Sequence, residues 1–104
     1  MTMKLTALYT TPTDPAAFEQ HYATVHIPLV AAIPGLIRQE TALMVGTPDG
    51  TPAAYYRQAD LYFPDMDALG AGFASAEGQK TADDAAALAA RTGSTLTLMV
   101  STID

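Results

Sequence analysis

The sequence contains no cysteine, no tryptophan and only five basic residues. Without cysteine, the chain can form no disulfide, zinc–thiolate site, iron–sulfur cluster or thiol nucleophile. The five bases are scattered among eleven acids, which gives a formal net charge of -6 at pH 7. Nucleic acids and anionic membranes both require a concentrated basic surface, so we expect neither as a partner.

Long apolar runs are also missing. No stretch is long enough to span a bilayer, and the first residues lack the pattern of a secretory leader. Apolar residues nevertheless make up 49% of the 104 residues, which is enough for one hydrophobic core. We therefore expect a cytoplasmic protein with a single domain over residues 1–104.

The chain reads in the order β-α-β-β-α-β. Alternating or β-rich stretches predict strands over residues 4–10, 36–45, 55–63 and 95–101. Asp14 and Pro15 predict the start of a first helix that ends before Pro34. A second helical region opens at Pro64-Asp65 and restarts at a new cap, Ser75, with Gly93 as its stop. This order is that of the ferredoxin-like α+β fold, with two helices on one face of a four-stranded antiparallel sheet.

Such a sheet has one face without helices. Tyr56, Tyr62 and Met99 fall on strand positions that the alternation assigns to this open face. An exposed aromatic face needs a cover, and a second copy of the chain is the simplest one. We therefore expect a homodimer packed sheet to sheet.

The first helix carries the candidate chemistry. Its predicted apolar face comprises Phe18, Tyr22, Val25, Leu29 and Ile33. His26 falls on the flank of that face. Pro28 removes the N–H that would bond the Thr24 carbonyl, so the helix should loosen beside His26. His21 falls well round the helix and is expected in solvent, and its spacing from His26 does not suit a metal pair.

This part of the sequence resembles the EthD family, named for an association with ethyl tert-butyl ether degradation. The resemblance rests on these segments: Tyr9, Pro15 to Phe18, His21-Tyr22, His26-Ile27-Pro28-Leu29, Ile33-Pro34-Gly35-Leu36 and Leu61-Tyr62-Phe63. It implies a dimeric α+β barrel, made from two ferredoxin-like protomers. The same superfamily includes cofactor-free monooxygenases, muconolactone isomerases and haem-binding peroxidases.

The resemblance also implies a site. It makes His26 the family's histidine, and it places a pocket between the first helix and the inner face of the sheet. Tyr9, Tyr22, Tyr62 and Phe18 are the implied lining residues. Each tyrosine can orient a substrate oxygen through its hydroxyl, or can be ordinary core with one polar end. His26 can be an acid or base, or a packed ring bonded to a nearby carbonyl.

Acidic residues are the remaining candidates. Asp60 shares a strand face with Tyr62 and can line the barrel, although a salt-bridged or solvated position is the simpler interpretation. Asp83 and Asp84 are interpreted as a solvated helix face.

Three hypotheses on function follow. The first is a small enzyme without cofactor or metal, in which His26 performs acid–base chemistry on an apolar, oxygenated small molecule. The reaction types considered are isomerisation, dehydration, cyclisation and oxidation. The second is a non-catalytic protein that binds a hydrophobic metabolite or assists a degradation pathway, which is a catabolic role. The third, as in distant relatives, is a haem-binding barrel with His26 as the axial ligand.

Overall fold

The computed structural model describes residues 1–104 and has the element order β-α-β-β-α-β. The strands are β1 (Met3–Tyr9), β2 (Arg38–Leu43), β3 (Arg57–Phe63) and β4 (Leu96–Thr102). The helices are α1 (Pro15–His21), a π-helical segment (Tyr22–His26), α2 (Ile27–Ala31), α3 (Met66–Ala74) and α4 (Ala76–Thr92). None of these helices has the length and apolar character needed to cross a bilayer.

The four strands form one antiparallel sheet in the order β2-β3-β1-β4. Ala59, Leu61 and Phe63 of β3 are buried on the side where the helices pack. Their β1 partners Ala7 and Leu5 share that side, because the register pairs Ala7 with Ala59 and Leu5 with Leu61. The predicted ferredoxin-like α+β fold is confirmed, with the core between the helices and this face of the sheet.

The helix boundaries follow local capping chemistry. The Asp14 carboxylate accepts the Ala17 N–H, and Pro15 is the first helical residue. The Ser75 hydroxyl accepts the Gly78 N–H at the break between α3 and α4. Gly93 ends α4 with φ 74°, a left-handed conformation that glycine adopts without strain. The predicted caps at Asp14, Ser75 and Gly93 are confirmed.

The first helix buries a different set of residues from the one predicted. Phe18, Tyr22 and Ile33 are buried as expected, but Val25 is 40% exposed and His26 faces inward in its place. The cause is the π-helical segment, in which the Ile27 N–H bonds the Tyr22 carbonyl five residues back. Pro28 has no N–H for Thr24 and its ring crowds that carbonyl, so a wider turn relieves the conflict. The extra residue rotates the inward positions from 25 and 29 to 26 and 30.

The open face of the sheet is more polar than predicted. Tyr62 is only 7% exposed, because the Arg38 guanidinium lies 3.8 Å from its ring centroid and covers it. Tyr56 lies before β3 begins and packs edge-on against Phe18, with ring centroids 5.6 Å apart. The expected row of exposed tyrosines is therefore wrong, although Met99 on the same face is 49% exposed.

Candidate functional site

A cavity of about 250 Å³ lies between the inner face of the sheet and the helices. Eleven of its 13 lining residues are hydrophobic. Leu98 of β4, which is 53% exposed, marks its solvent side. The lining residues are Leu5, Ala7, Tyr9, His26, Val30, Ala59, Leu61, Phe73, Thr81, Ala82, Ala85, Leu96 and Leu98.

A second depression of about 350 Å³ lies beside the loop between β2 and β3. Its lining includes Thr47, Thr51 and Tyr55 but no histidine, carboxylate, lysine or arginine. Because this depression holds no histidine or carboxylate, the cavity that contains His26 is the candidate site.

Three polar side chains reach the lining of that cavity. The Thr81 hydroxyl donates to the Glu77 carbonyl of its own helix at 2.8 Å, so it is already satisfied. Tyr9 is fully buried at the end of β1, and its hydroxyl has no hydrogen-bond partner in the protein. Burial raises the pKa of Tyr9 far above its ordinary value, so this phenol stays protonated and can act as a hydrogen-bond donor.

His26 is the titratable base of the cavity. Its Nδ1 lies 2.9 Å from Oδ2 of Asp84, and its side chain is 7% exposed. A carboxylate can only accept, so Nδ1 carries the proton and Nε2 keeps its lone pair. Burial lowers the pKa of His26 and outweighs the opposing effect of Asp84, so the neutral ring is the resting form at pH 7.

His21 also binds Asp84. Its Nε2 lies 2.8 Å from Oδ1, the other oxygen of the same carboxylate. Burial alone would raise the pKa of Asp84, but the two histidine contacts together hold that pKa below its ordinary value. The expectation of a solvated His21 is therefore wrong, because the π-helical turn brings residues five apart onto one side. The expectation of a solvated Asp84 is wrong for the same reason, and its side chain is 17% exposed.

An aromatic stack supports His26 from behind. The rings of Tyr22 and His26 are stacked with centroids 5.6 Å apart, and Phe18 stacks on Tyr22 at 5.5 Å. Tyr9 meets both Phe18 and Tyr22 edge-on. Burial raises the pKa of Tyr22 to about 12. The implied placement of Phe18 and Tyr22 in the lining is wrong, because neither side chain borders the cavity. Tyr22 instead packs against the His26 ring, and Phe18 packs against Tyr22.

Tyr62 and Asp60 are not in this site. Both lie on the open face of the sheet, whereas Tyr9 and His26 lie on the helix side. The Tyr62 hydroxyl donates to Glu40 at 2.6 Å, and Asp60 accepts from Thr6 at 2.7 Å. The implied placement of Tyr62 in the cavity is wrong, because alternation sends it to the face opposite Leu61. Asp60 has the salt-bridged position, with Lys4 at 3.7 Å.

Asp84 is the residue of the candidate site that the sequence interpretation missed. It comes three residues after Thr81 and four before Leu88, both of which are buried. An acid at that helical spacing lies beside the inward face of α4 rather than on the solvent face. This helical spacing can be read from the sequence. It predicts that Asp84 binds a buried cation or N–H donor.

Comparison with known proteins gives the family. Residues 10–92 match the model of the EthD domain. The chain belongs to the EthD family. An uncharacterized 11.0 kDa protein from the thcB-thcC intergenic region of Rhodococcus erythropolis is 42% identical to this EthD chain over 83 residues. That match covers 80% of each protein.

Solved structures support the same assignment. An EthD family protein from Bacillus halodurans is 35% identical, with a TM-score of 0.91 and full coverage of both chains. SnoaB from Streptomyces nogalater, a cofactor-independent oxygenase, is 20% identical with a TM-score of 0.66. That match covers 99% of this chain and 93% of SnoaB, and at this identity it shows a shared fold.

Proposed function

We propose that this EthD chain is a cofactor-independent acid–base catalyst for a compact, neutral, oxygenated small molecule. The observation that carries the proposal is that two residues line the same apolar cavity: His26, which has a free imidazole nitrogen, and Tyr9, which has an unpartnered phenol. Nδ1 of His26 is held by Asp84, and Tyr9 has the only buried side-chain polar atom without a partner. Native proteins rarely leave such a donor unbonded, so a ligand oxygen is its expected partner.

The proposed step is proton abstraction from a carbon or hydroxyl next to an unsaturated oxygen. Nε2 of His26 takes the proton and becomes part of an imidazolium whose other N–H bonds the Asp84 carboxylate. Negative charge then builds on the substrate oxygen, where the Tyr9 hydroxyl donates a hydrogen bond. Return of the proton to another atom gives isomerisation, and loss of hydroxide gives dehydration. Attack of the carbanion on a second carbonyl gives cyclisation.

The lining restricts the substrate class. It contains no lysine or arginine. The nearest cation to the aromatic stack, Arg57, is already paired with Glu19 at 3.1 Å. An anionic ligand would therefore lose its hydration without compensation. The cavity volume is about 250 Å³. Pockets for drug-sized ligands have volumes of about 300–1,000 Å³, so this cavity suits a smaller molecule with one or two rings.

Chemistry without a cofactor has a precedent on this fold. SnoaB, which shares the fold, is described as a cofactor-independent oxygenase. A deprotonated, electron-rich substrate can itself supply electrons to dioxygen. The same His26 base would serve an oxidation of that kind here, which supports keeping oxidation among the reaction types.

Haem does not fit the cavity as it stands. A tetrapyrrole is larger than a drug-sized ligand, and the available volume is about 250 Å³. His26 has the free Nε2 that an axial ligand needs, but no space for a macrocycle lies beside it. We therefore assign no step to haem.

The test uses a generic carbon acid, because the natural substrate is not identified. The ketone 2-tetralone is neutral, bicyclic and acidic beside its carbonyl. In deuterated buffer, ¹H NMR should show wild-type protein accelerating the loss of its α-protons. His26→Ala should reduce that acceleration by about 10²–10⁴-fold, the usual contribution of a positioned base. Gln20→Ala, an exposed change outside both the cavity and the open sheet face, should have no effect.

Two results would contradict the proposal. Undiminished exchange with His26→Ala, in a variant that keeps its circular dichroism spectrum, would remove His26 as the base. Saturable binding of 2-tetralone and related ketones without any exchange would favour the second hypothesis, a non-catalytic metabolite-binding or accessory protein of a catabolic pathway.

A homodimer is part of the same proposal. Solved structures described as dimeric ferredoxin-like proteins share this fold, including one from Thermobifida fusca with a TM-score of 0.72. Exposed Met99 on the open sheet face supports a sheet-to-sheet arrangement. Light scattering should give twice the mass of 10.9 kDa. A stable monomer at micromolar concentration would contradict the dimer.

A further inference from the structure

Two imidazoles share one carboxylate beside the cavity. Oδ2 of Asp84 lies 2.9 Å from Nδ1 of His26, and Oδ1 lies 2.8 Å from Nε2 of His21. The helical turn from His21 to His26 has the π-helical geometry that puts both rings on the α4 side. Asp84 therefore has both of its oxygens occupied by ring nitrogens from one neighbouring helix.

The two rings differ in their access to water. The His26 side chain is 7% exposed and borders the cavity, whereas the His21 side chain is 23% exposed. His21 does not line the cavity. It therefore lies outside the contacts of a ligand bound beside His26.

We propose that His21 is a positioning residue for the His26 base. Its Nε2–H holds Oδ1 and so fixes the plane of the carboxylate, which keeps Oδ2 on Nδ1 of His26. Its charge also sets the basicity of His26 from the solvent side. This role rests on the proposed function, because it matters for catalysis only if His26 is the base.

The direction of the coupling follows from simple electrostatics. A neutral His21 leaves the full negative charge of Asp84 to stabilise an imidazolium at position 26. A protonated His21 offsets part of that charge and repels a second proton, so His26 becomes a weaker base. The cavity should therefore lose activity on the acid side more gradually, over a wider pH range, than a single histidine would dictate.

Few other charges face this group. Asp84 on α4, Tyr9 on β1 and Tyr22 in the π-helical segment are the titratable neighbours. Both phenols are neutral because burial raises their pKa. Lys80, one turn earlier on α4, is exposed and forms no ion pair with Asp84 within 4.0 Å. Asp83 is exposed on the same helix. The coupling is therefore dominated by the carboxylate and its two rings.

The test separates the donor of His21 from its charge. His21→Gln places an amide N–H near the position of Nε2 but cannot titrate, whereas His21→Ala removes both. Gln20→Ala, an exposed neighbour on the same helix, is the matched control. The measurement is ¹⁵N NMR of the imidazole nitrogens against pH in the ligand-free protein, so it needs no substrate.

In the wild type, we expect His26 protonated at Nδ1 in its neutral form, with a titration curve that His21 broadens. His21→Gln should keep that tautomer and raise the pKa of His26, because it removes the charge that opposes protonation of His26. His21→Ala should raise the pKa as well and mix the two tautomers of His26. Wild-type titration of His26 in both variants, or a neutral ring protonated at Nε2 in the wild type, would overturn the proposal.

The pH profile of 2-tetralone exchange links this coupling to function. His21→Gln should move the acid limb to higher pH while keeping most of the plateau rate, and His21→Ala should lower the plateau too. Gln20→Ala should follow the wild type. If the NMR coupling is present but no variant catalyses exchange, the proposed function fails while the three-group coupling stands.

Discussion

Removal of the Tyr9 hydroxyl is the sharpest test of the cavity as a ligand site. The side chain is fully buried, and its hydroxyl has no partner in the protein. A buried polar group without a partner costs about 1–3 kcal/mol relative to its hydrated state. Tyr9→Phe removes that cost and leaves the ring in its edge-on contacts with Phe18 and Tyr22. The ligand-free variant should therefore be more stable than the wild type.

The magnitude can be measured by thermal unfolding. For a domain of about 100 residues, each kcal/mol shifts Tm by about 4–8 °C. Tyr9→Phe should thus raise Tm by about 4 °C or more. The same variant should lose about 10²-fold or more in 2-tetralone exchange, because it removes the donor to the developing negative oxygen. A gain in stability with a loss of activity is the pattern of a polar group kept for function.

Tyr62→Phe is the matched control. Its hydroxyl already donates to Glu40 at 2.6 Å on the open face of the sheet. The loss of that hydrogen bond should lower stability and leave ketone exchange unchanged. If Tyr9→Phe lowers the stability of the protein, as Tyr62→Phe should, then the Tyr9 hydroxyl has a hydrogen-bond partner in the native protein. Its proposed role as an unpartnered donor for a ligand oxygen would then be refuted.

Two further predictions concern stability. Gly78→Ala should destabilise the chain by more than about 3 kcal/mol, since a Cβ would lie 2.0 Å from the Gly72 carbonyl where α3 meets α4. Gly70→Ala should instead stabilise α3 by about 0.5–1 kcal/mol, because nothing lies within 4 Å of the added Cβ. Urea unfolding of both variants measures the two changes, and equal stabilities would contradict the prediction. Stability should also fall as pH drops below the ordinary histidine value of 6.5, because the lowered pKa of His26 makes the unfolded chain bind more protons. The pKa of Asp84 is also lowered, so the loss of stability should continue below pH 3.8, the ordinary pKa of an aspartate. In denaturant titrations, His26→Gln should remove the pH dependence of stability near pH 6.5.

Features fixed by neighbouring residues were predictable from the sequence. The caps at Asp14 and Ser75 depend on a side chain and an N–H three residues away. The left-handed stop at Gly93 depends on one residue. Strand alternation gave the β3 face of Ala59, Leu61 and Phe63. These local rules were sufficient for the element order and hence for the fold class.

Features that depend on the pairing of distant elements were less accessible. The alternation separates Tyr62 from Leu61, but only the packing of the helices decides which face becomes the interior. The more polar face of Gln58, Asp60 and Tyr62 was the available indication that it faces away from the helices. The placement of Tyr62 in the cavity followed the resemblance and ignored that polarity. Tyr9 lies on the inward face of β1 by strand alternation alone, and it lines the cavity in the structure.

The π-helical segment explains why the cluster of His21, Asp84 and His26 escaped prediction. In a regular α-helix, residues five apart point about 140° away from each other, so His21 and His26 could not share a partner. The sequence did indicate a disturbed turn at Pro28, but not that the helix would absorb it by adding one residue to the turn. That added residue turns Val25 outward and His26 inward, and it brings His21 to Asp84. The candidate chemistry of this chain thus depends on a departure from regular helix geometry that one proline makes favourable.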